Sequence, residues 1–96
     1  MPRGTEPTPG VWARTTAQVI EDLRLSSGAP RATLAQRSQV GEARISRCVL
    51  GRQAFTLDEV ARLAAALGVT PTMIVLRAQR LLTGADESEQ APSSGA

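Results

Sequence analysis

The sequence predicts an all-α protein with one small domain of five helices. Apolar residues recur at helical spacing through the central part of the chain, and no stretch alternates apolar and polar residues as a half-buried strand would. The length of 96 residues allows one domain core but not two of ordinary size. We therefore expect any function to depend on a single helical core.

The first two predicted helices are separated by a clear break. Residues 11–25 form an amphipathic helix, whose inward face is predicted to consist of Trp12, Thr16, Val19, Ile20 and Leu23. Residues 26–30 end this helix, because Pro30 disfavours helical backbone in the residue before it. A second, short helix is predicted over residues 31–38, with Leu34 and Ala35 facing the core.

A third short helix follows the second after a tight turn. Residues 39–41 interrupt the helical spacing, and the next helix is predicted over residues 42–50. Its inward residues are Ile45, Cys48 and Val49, and Gly51 is a natural C-terminal stop. Residues 31–51 are thus predicted to be two short helices joined by a turn.

Capping signals mark the start of the last two helices. Thr56 and Glu59 have capping-box spacing, so a fourth helix is predicted from this point to Gly68. Its apolar stripe is predicted to be Leu57, Val60, Ala61, Ala64 and Leu67. Thr70 followed by Pro71 is a second helix start, and a fifth helix is predicted over residues 71–82.

The fifth predicted helix is apolar on more than one face. Its apolar residues are Met73, Ile74, Val75, Leu76, Ala78, Leu81 and Leu82. A core this small cannot cover all of them, so we expect a partner surface. The candidate dimer-interface residues are Trp12, Val75, Leu76 and Leu82.

Charge and composition divide the chain into three parts. The net charge is only +2, but residues 31–52 hold one acidic residue, Glu42, and five arginines: Arg31, Arg37, Arg44, Arg47 and Arg52. Residues 1–10 and 83–96 are polar, and we predict a flexible N-terminal arm and a disordered acidic tail. The folded domain is expected over residues 11–82.

Several classes of function lack their usual residues. The chain has no His and one Cys, so no metal site, internal disulfide or imidazole base is expected. No nucleophile with an adjacent base can be named, and we predict neither an enzyme nor a cofactor. No apolar stretch approaches the ~18 residues of a membrane span, and the first residues lack a signal-peptide pattern. We expect a cytoplasmic protein without membrane contact.

The spacing of residues 34–51 carries a family resemblance. Three residues separate each of the following groups from the next: Leu34-Ala35, Gln39-Val40-Gly41, Ile45-Ser46-Arg47 and Gly51, and further on stand Ala64 and Leu67-Gly68-Val69-Thr70. The chain thereby resembles the Cro and lambda-repressor-like (XRE family) helix-turn-helix proteins over residues 17 to about 76. This implies a five-helix lambda-repressor-like domain whose helix 42–50 lies in the DNA major groove. Gln39 stands where the family usually has Gly in the turn. Because positive φ costs a non-glycine residue on the order of 1 kcal/mol, we expect a slightly remodelled turn.

The resemblance also implies roles for individual residues. Base edges would be contacted by Glu42, Ala43, Arg44, Arg47 and Gln53, and phosphates by Arg31, Arg37 and Arg52. Arg suits guanine O6 and N7, Glu accepts from cytosine N4, Ala contacts the thymine methyl group, and Gln53 could pair with adenine. Phosphate binding by Arg31 would be helped by the positive N-terminus of its helix.

The sequence therefore predicts a regulator of transcription that binds double-stranded DNA in the nucleoid, with repression as the expected mode. A single recognition helix reads about four base pairs, at ~1–3 kcal/mol each, against ~10⁶ or more genomic sites. We therefore expect a homodimer on a palindromic or pseudo-palindromic site. The alternative is a helical protein-interaction module with secondary DNA contact, such as an antitoxin or a regulator that binds polymerase or a sigma factor.

Overall fold

The computed structural model describes residues 8–84 as five helices with no strand among them. The helices are α1 (Val11–Ser27), α2 (Arg31–Ser38), α3 (Glu42–Val49), α4 (Leu57–Leu67) and α5 (Pro71–Thr83). The all-α, five-helix prediction is confirmed, and no helix end differs from the predicted one by more than two residues. The predicted arm and tail lie mostly outside the described residues, so their disorder stays a prediction.

The core draws on all five helices. Its buried residues are Val19, Ile20, Leu34, Val40, Ile45, Val60, Leu63, Ala64, Ile74 and Ala78. Burial of one side chain of the size of Leu63 stabilises the fold by about 1.5–3 kcal/mol. Helix α1 packs mainly on α5 and α2 on α4, while α3 contacts α1 and α2. The short α3 is therefore held against the domain by α1 and α2, the two helices that precede it in the chain.

The capping signals place the helix starts correctly. The backbone N–H of Glu59 donates to Thr56 Oγ1 at 3.0 Å, and the N–H of Thr56 donates to Glu59 Oε1 at 2.8 Å. Thr70 Oγ1 accepts from the N–H of Met73 at 3.1 Å. These local bonds satisfy backbone donors that the first turn leaves unpaired, which is why a short sequence pattern suffices to predict them.

Two predicted core faces need correction. In α4 the predicted Val60 and Ala64 are buried, but Leu57 is 83% exposed and Ala61 is also exposed, while Leu63, which was not predicted, is buried. Trp12 is half exposed. Leu57 and Trp12 each lie in the first turn of a helix. Their helical spacing is right, but the core does not extend to the helix start.

Helices α4 and α5 meet at a sharp angle of 105° across the break between Leu67 and Pro71. Within residues 8–84 no single helix is long and apolar enough to cross a bilayer, and only this bent pair reaches the necessary length and composition when taken together. Each of the two helices places residues in the core, among them Leu63 and Ile74.

Candidate nucleic-acid interface

Helices α2 and α3 are joined by a turn of three residues. Gln39 ends α2 with a φ of 62°, and it is the one non-glycine residue with positive φ in the described chain. Its N–H donates to Ala35 O at 2.8 Å, and the N–H of Val40 donates to Ser38 Oγ at 3.2 Å. Gln39 thus takes the left-handed conformation although it is not a glycine. Helix α3 begins at Glu42, after the three residues 39–41.

The turn and both helices share one buried side. Leu34, Val40 and Ile45 belong to the same core cluster, with Ala35 packed against it. Ala is small enough to let the two helix backbones approach each other. The angle between α2 and α3 is therefore fixed by apolar packing as well as by the turn.

Helix α3 has an apolar inner face and a polar outer face. Ile45 and Cys48 are buried, as predicted, and burial raises the pKa of the Cys48 thiol. Glu42, Ala43 and Arg47 are exposed. Glu42 is in the first turn, where a negative charge interacts favourably with the positive end of the helix dipole. The outer face thus offers a carboxylate, a methyl group and a guanidinium at one surface.

Arg31 lies at the start of α2 and connects three helices. Its Nη1 donates to Ser46 Oγ of α3 at 3.1 Å, and its Nη2 donates to Glu21 Oε2 of α1 at 3.1 Å. Glu21 is buried and also accepts hydrogen bonds from Arg24 at 2.9 and 2.8 Å. The bonds from Arg24, and less strongly those from Arg31, hold the pKa of Glu21 below its usual value.

Arg44 and Gln53 form a second cluster at the other side of α3. Arg44 donates from Nε and Nη2 to the two carboxylate oxygens of Glu59 at 3.1 and 2.9 Å. It also donates from Nη2 to Ala54 O and from Nη1 to Gln53 Oε1, both at 2.7 Å. Hydrogen bonding to Arg44 lowers the pKa of Glu59. The cluster ties α3 to the loop that follows it and to the start of α4.

The remaining basic residues of the segment lie at the surface. Arg37 and Arg52 are exposed, and neither side chain forms a hydrogen bond or ion pair with another residue of the described chain. Arg47 is exposed as well and donates from Nε to Gln53 Oε1 at 3.0 Å. The structure thus brings Arg44, Arg47 and Gln53 together, while Arg31 lies in a separate cluster and Arg37 and Arg52 stand alone.

Three residues of this region were not identified from the sequence. Glu21 forms an ion pair with Arg31, and Glu59 forms one with Arg44. Arg14 donates from Nη1 to the carbonyl oxygen of Pro9, and its aliphatic stem lies beside Gly51. The Glu21 and Arg24 pair has the i, i+3 spacing typical of a helical ion pair, which is a signal that could have been used. The pairs with Arg31 and Arg44 join residues 10 and 15 positions apart, where no local signal exists.

The predicted dimer-interface residues are all at least partly exposed. Trp12, Val75, Leu76 and Leu82 are 50%, 40%, 44% and 36% exposed. Trp12 and Val75 line an open apolar groove of about 270 Å³ together with Phe55, Leu57 and Val60. Leu82 lies further along α5. Exposed apolar side chains at this density are typical of a surface that contacts another molecule.

Two short helices, a tight turn, and a polar outer face on the second helix define a helix-turn-helix unit. The family model described as a helix-turn-helix domain matches residues 17–76. The chain therefore belongs to the helix-turn-helix domain family, and the resemblance recognised in the sequence is confirmed. This membership places the protein among the DNA-binding regulators.

One solved structure shares the fold. The crystal structure of the clp gene regulator ClgR from Corynebacterium glutamicum is similar with a TM-score of 0.68, at 22% sequence identity, over 88% of this chain and 90% of that one. No functionally curated protein matches the sequence. At this identity the similarity shows a common fold, so the function is argued from the residues of this chain. Within residues 8–84, no group of three or more His, Cys, Asp or Glu side chains could hold a metal ion.

Proposed function

We propose that this protein is a sequence-specific regulator of transcription that inserts α3 into the major groove of double-stranded DNA and represses by occupying its site. The observation that carries this proposal is the outer face of α3, where Glu42, Ala43 and Arg47 are exposed opposite the buried Ile45 and Cys48. An α-helix fits the ~12 Å wide major groove with one face, and base edges there differ in their donors and acceptors.

The proposed base-contacting residues lie on α3 and the loop after it: Glu42, Ala43, Arg44, Arg47 and Gln53. Arg44 is the least available of them, because its guanidinium is held by Glu59 and Ala54 O. The proposed phosphate contacts are Arg31, Arg37 and Arg52. Arg37 and Arg52 are exposed, and Arg31 lies at the N-terminus of α2, whose dipole favours an anion.

A homodimer on a palindromic site is part of the proposal. Each half-site would be read by one α3, and two helices together supply the specificity that a single one lacks. Trp12, Val75, Leu76 and Leu82 are proposed for the contact between the two copies, since they are exposed apolar residues. They belong to α1 and α5, so a partner bound there leaves the outer face of α3 open.

Salt-dependent binding tests the DNA-binding proposal. Affinity for duplex DNA is measured by fluorescence anisotropy between 50 and 200 mM salt. The logarithm of the affinity falls linearly with the logarithm of the salt concentration, and each phosphate contact contributes about 0.9 to the slope. Arg37→Ala and Arg52→Ala are each expected to weaken binding and flatten the slope by about that amount. Arg77→Ala, an equally exposed arginine on α5, is the control and should change neither quantity.

A protein-interaction module is the second candidate function, and the exposed apolar groove beside Trp12 and Val75 favours it. Under this alternative DNA contact is secondary. It would gain support if Arg47→Ala, Arg37→Ala and Arg52→Ala all bound DNA as tightly as the wild type at every salt concentration. Loss of affinity in these variants with the Arg77→Ala control unchanged would contradict it.

A further inference from the structure

The side-chain amide of Gln53 lies between two arginines of α3. Arg44 Nη1 donates to Gln53 Oε1 at 2.7 Å, and Arg47 Nε donates to the same oxygen at 3.0 Å. A guanidinium carries donors and no acceptor, so the amide atom that faces both arginines must be the oxygen, however the amide is turned. An amide oxygen has two lone pairs. Both are therefore used within the protein.

Arg44 holds the Gln53 amide in this orientation, and its own guanidinium is held in place by other contacts. Its guanidinium is paired with Glu59, and the Arg44 and Glu59 side chains are 27% and 15% exposed. Glu59 is fixed in turn, since its carboxylate caps the start of α4 by accepting from the N–H of Thr56. Turning the Gln53 amide over would bring its NH₂ group against two guanidinium donors, which disfavours the turned state.

The groups of Arg47 and Gln53 that remain available for a base are all donors. The terminal nitrogens of Arg47 and the NH₂ group of Gln53 form no hydrogen bond with another residue between 8 and 84. Recognition of adenine by Gln requires the amide oxygen to accept from adenine N6 while the NH₂ group donates to N7. Gln53 has no lone pair left for that bond. Guanine offers two acceptors in the major groove, N7 and O6, and thymine offers O4.

We infer that Arg44 is a positioning residue that fixes Gln53 as a hydrogen-bond donor, so that Arg47 and Gln53 select bases with acceptor oxygens. Guanine is read by Arg47 and guanine or thymine by Gln53, while adenine is disfavoured because its N6 donor finds no acceptor on Gln53. This inference rests on the proposed function and names the bases that the site takes. It replaces the expectation that Gln53 pairs with adenine and that Arg44 contacts a base.

Selection of duplex DNA from a random library tests the inference. The purified full chain and its Gln53→Ala and Gln53→Glu variants each select bound DNA, and the position whose preference disappears in Gln53→Ala is the one that Gln53 reads. The wild type should prefer guanine or thymine there. Gln53→Glu keeps acceptor oxygens toward both arginines but has no donor, so its preference should change to cytosine or adenine, while the other positions stay as in the wild type.

A base analogue checks the role of Arg47 in the same selected site. Replacing the guanine at the Arg47-dependent position by 7-deazaguanine removes the N7 acceptor and should weaken wild-type binding by roughly 5- to 100-fold. In Arg47→Ala the same replacement should have no effect. Equal weakening in both proteins would overturn the assignment of guanine to Arg47.

A separate variant tests the positioning role of Arg44. Arg44→Met removes one donor from Gln53 Oε1, so adenine should become accepted at the Gln53 position while the guanine read by Arg47 is retained. Arg62→Met, an exposed arginine on α4, is the control and should leave every preference unchanged. If Arg44→Met does not fold, as judged by circular dichroism, the Gln53 variants still decide the inference.

Three results would overturn it. A wild-type preference for adenine at the Gln53 position would show that the amide oxygen pairs with DNA. Identical selected sequences for wild type, Gln53→Ala and Gln53→Glu would show that Gln53 reads no base. Loss of a position in Arg44→Met that Gln53→Ala retains would show that Arg44 reads a base itself. Absence of any selected sequence is a different result, because it would overturn the proposed function as well.

Discussion

Arg31, the first residue of α2, donates a hydrogen bond from Nη1 to Oγ of Ser46 in α3, with 3.1 Å between the two atoms. The other end of the same guanidinium is paired with the buried Glu21 of α1. Arg31 therefore links α1, α2 and α3 by polar contacts, in addition to the apolar packing of Ile45. The position of the proposed recognition helix depends on both.

Removal of the Arg31 side-chain charge should cost stability. Arg31→Met is expected to lower the free energy of unfolding by about 1–3 kcal/mol, because a buried carboxylate loses a charged partner. Ser46→Ala should cost about 0.5–1.5 kcal/mol, the usual net value of one hydrogen bond. Arg37→Met on the exposed side of α2 is the control and should stay within about 0.5 kcal/mol of the wild type. Urea unfolding measures all three, and equal stability of the two arginine variants would contradict the prediction.

Acid should destabilise the fold through Glu21. Its pKa lies below the usual 4.5, first because of the hydrogen bonds from Arg24 and then because of Arg31. A carboxyl group with a lowered folded-state pKa stabilises the fold above its unfolded-state pKa, and that stability is lost as the pH falls through the folded-state value. The free energy of unfolding should therefore fall as the pH drops below 4.5.

Urea unfolding of Glu21→Gln across the same pH range provides the comparison. This variant should be less stable than the wild type near neutral pH, and its stability should decline less on acidification. The pKa of Glu59 is lowered in the same direction, chiefly by Arg44. Adding Glu59→Gln should therefore flatten the pH dependence further. A Glu21→Gln protein whose stability declines as steeply as that of the wild type would be inconsistent with this account.

Glycine at the turn should relieve strain. Gln39 has a φ of 62°, a conformation that costs a non-glycine residue on the order of 1 kcal/mol. Gln39→Gly is expected to raise the free energy of unfolding by roughly 0.5 kcal/mol, because part of that relief is offset by the greater freedom of Gly in the unfolded chain. Gln36→Gly, the same change within α2, should lower it by roughly 0.5–1 kcal/mol. If thermal unfolding shows that both variants are stabilised, or that both are destabilised, the strain argument is refuted.

A charge on the exposed face of α5 should separate the two copies of the proposed homodimer. Leu76→Glu is expected to sediment as a monomer and to lose affinity for a palindromic site, because a carboxylate at an apolar contact is costly to bury. Its affinity for a single half-site should stay unchanged. Leu25→Glu is the control: Leu25 is exposed and lies thirteen residues after Trp12, about 20 Å away by helix rise. A wild-type protein that is monomeric both free and on DNA would contradict the dimer.

The elements that the sequence predicted well are those with local causes. The capping box at Thr56 and Glu59 involves residues three positions apart, and the Thr70 cap works at the same distance. The break between α2 and α3 followed from the interruption of the helical spacing at residues 39–41. The helix-turn-helix unit was predictable for this reason, since each part of it is specified within a few neighbouring residues.

The face that each helix turns to the core was predicted less completely. Leu57 fits the helical spacing of α4 and is nevertheless 83% exposed, at an open groove that it lines with Trp12 and Val75. Periodicity states which residues share a face. It does not state how far along the helix that face is covered, which depends on the lengths and angles of the neighbouring helices.

By itself, the sequence determined the five helices, the turn between α2 and α3, and the concentration of arginines on that unit. The tertiary structure decided which arginines remain available at its surface. Arg44 is bound by Glu59, fifteen residues further along the chain, and Arg31 by Glu21, ten residues before it. A guanidinium on a long side chain pairs with whichever carboxylate the fold brings within about 3 Å. Sequence spacing cannot specify that proximity, because it arises only when the helices have packed.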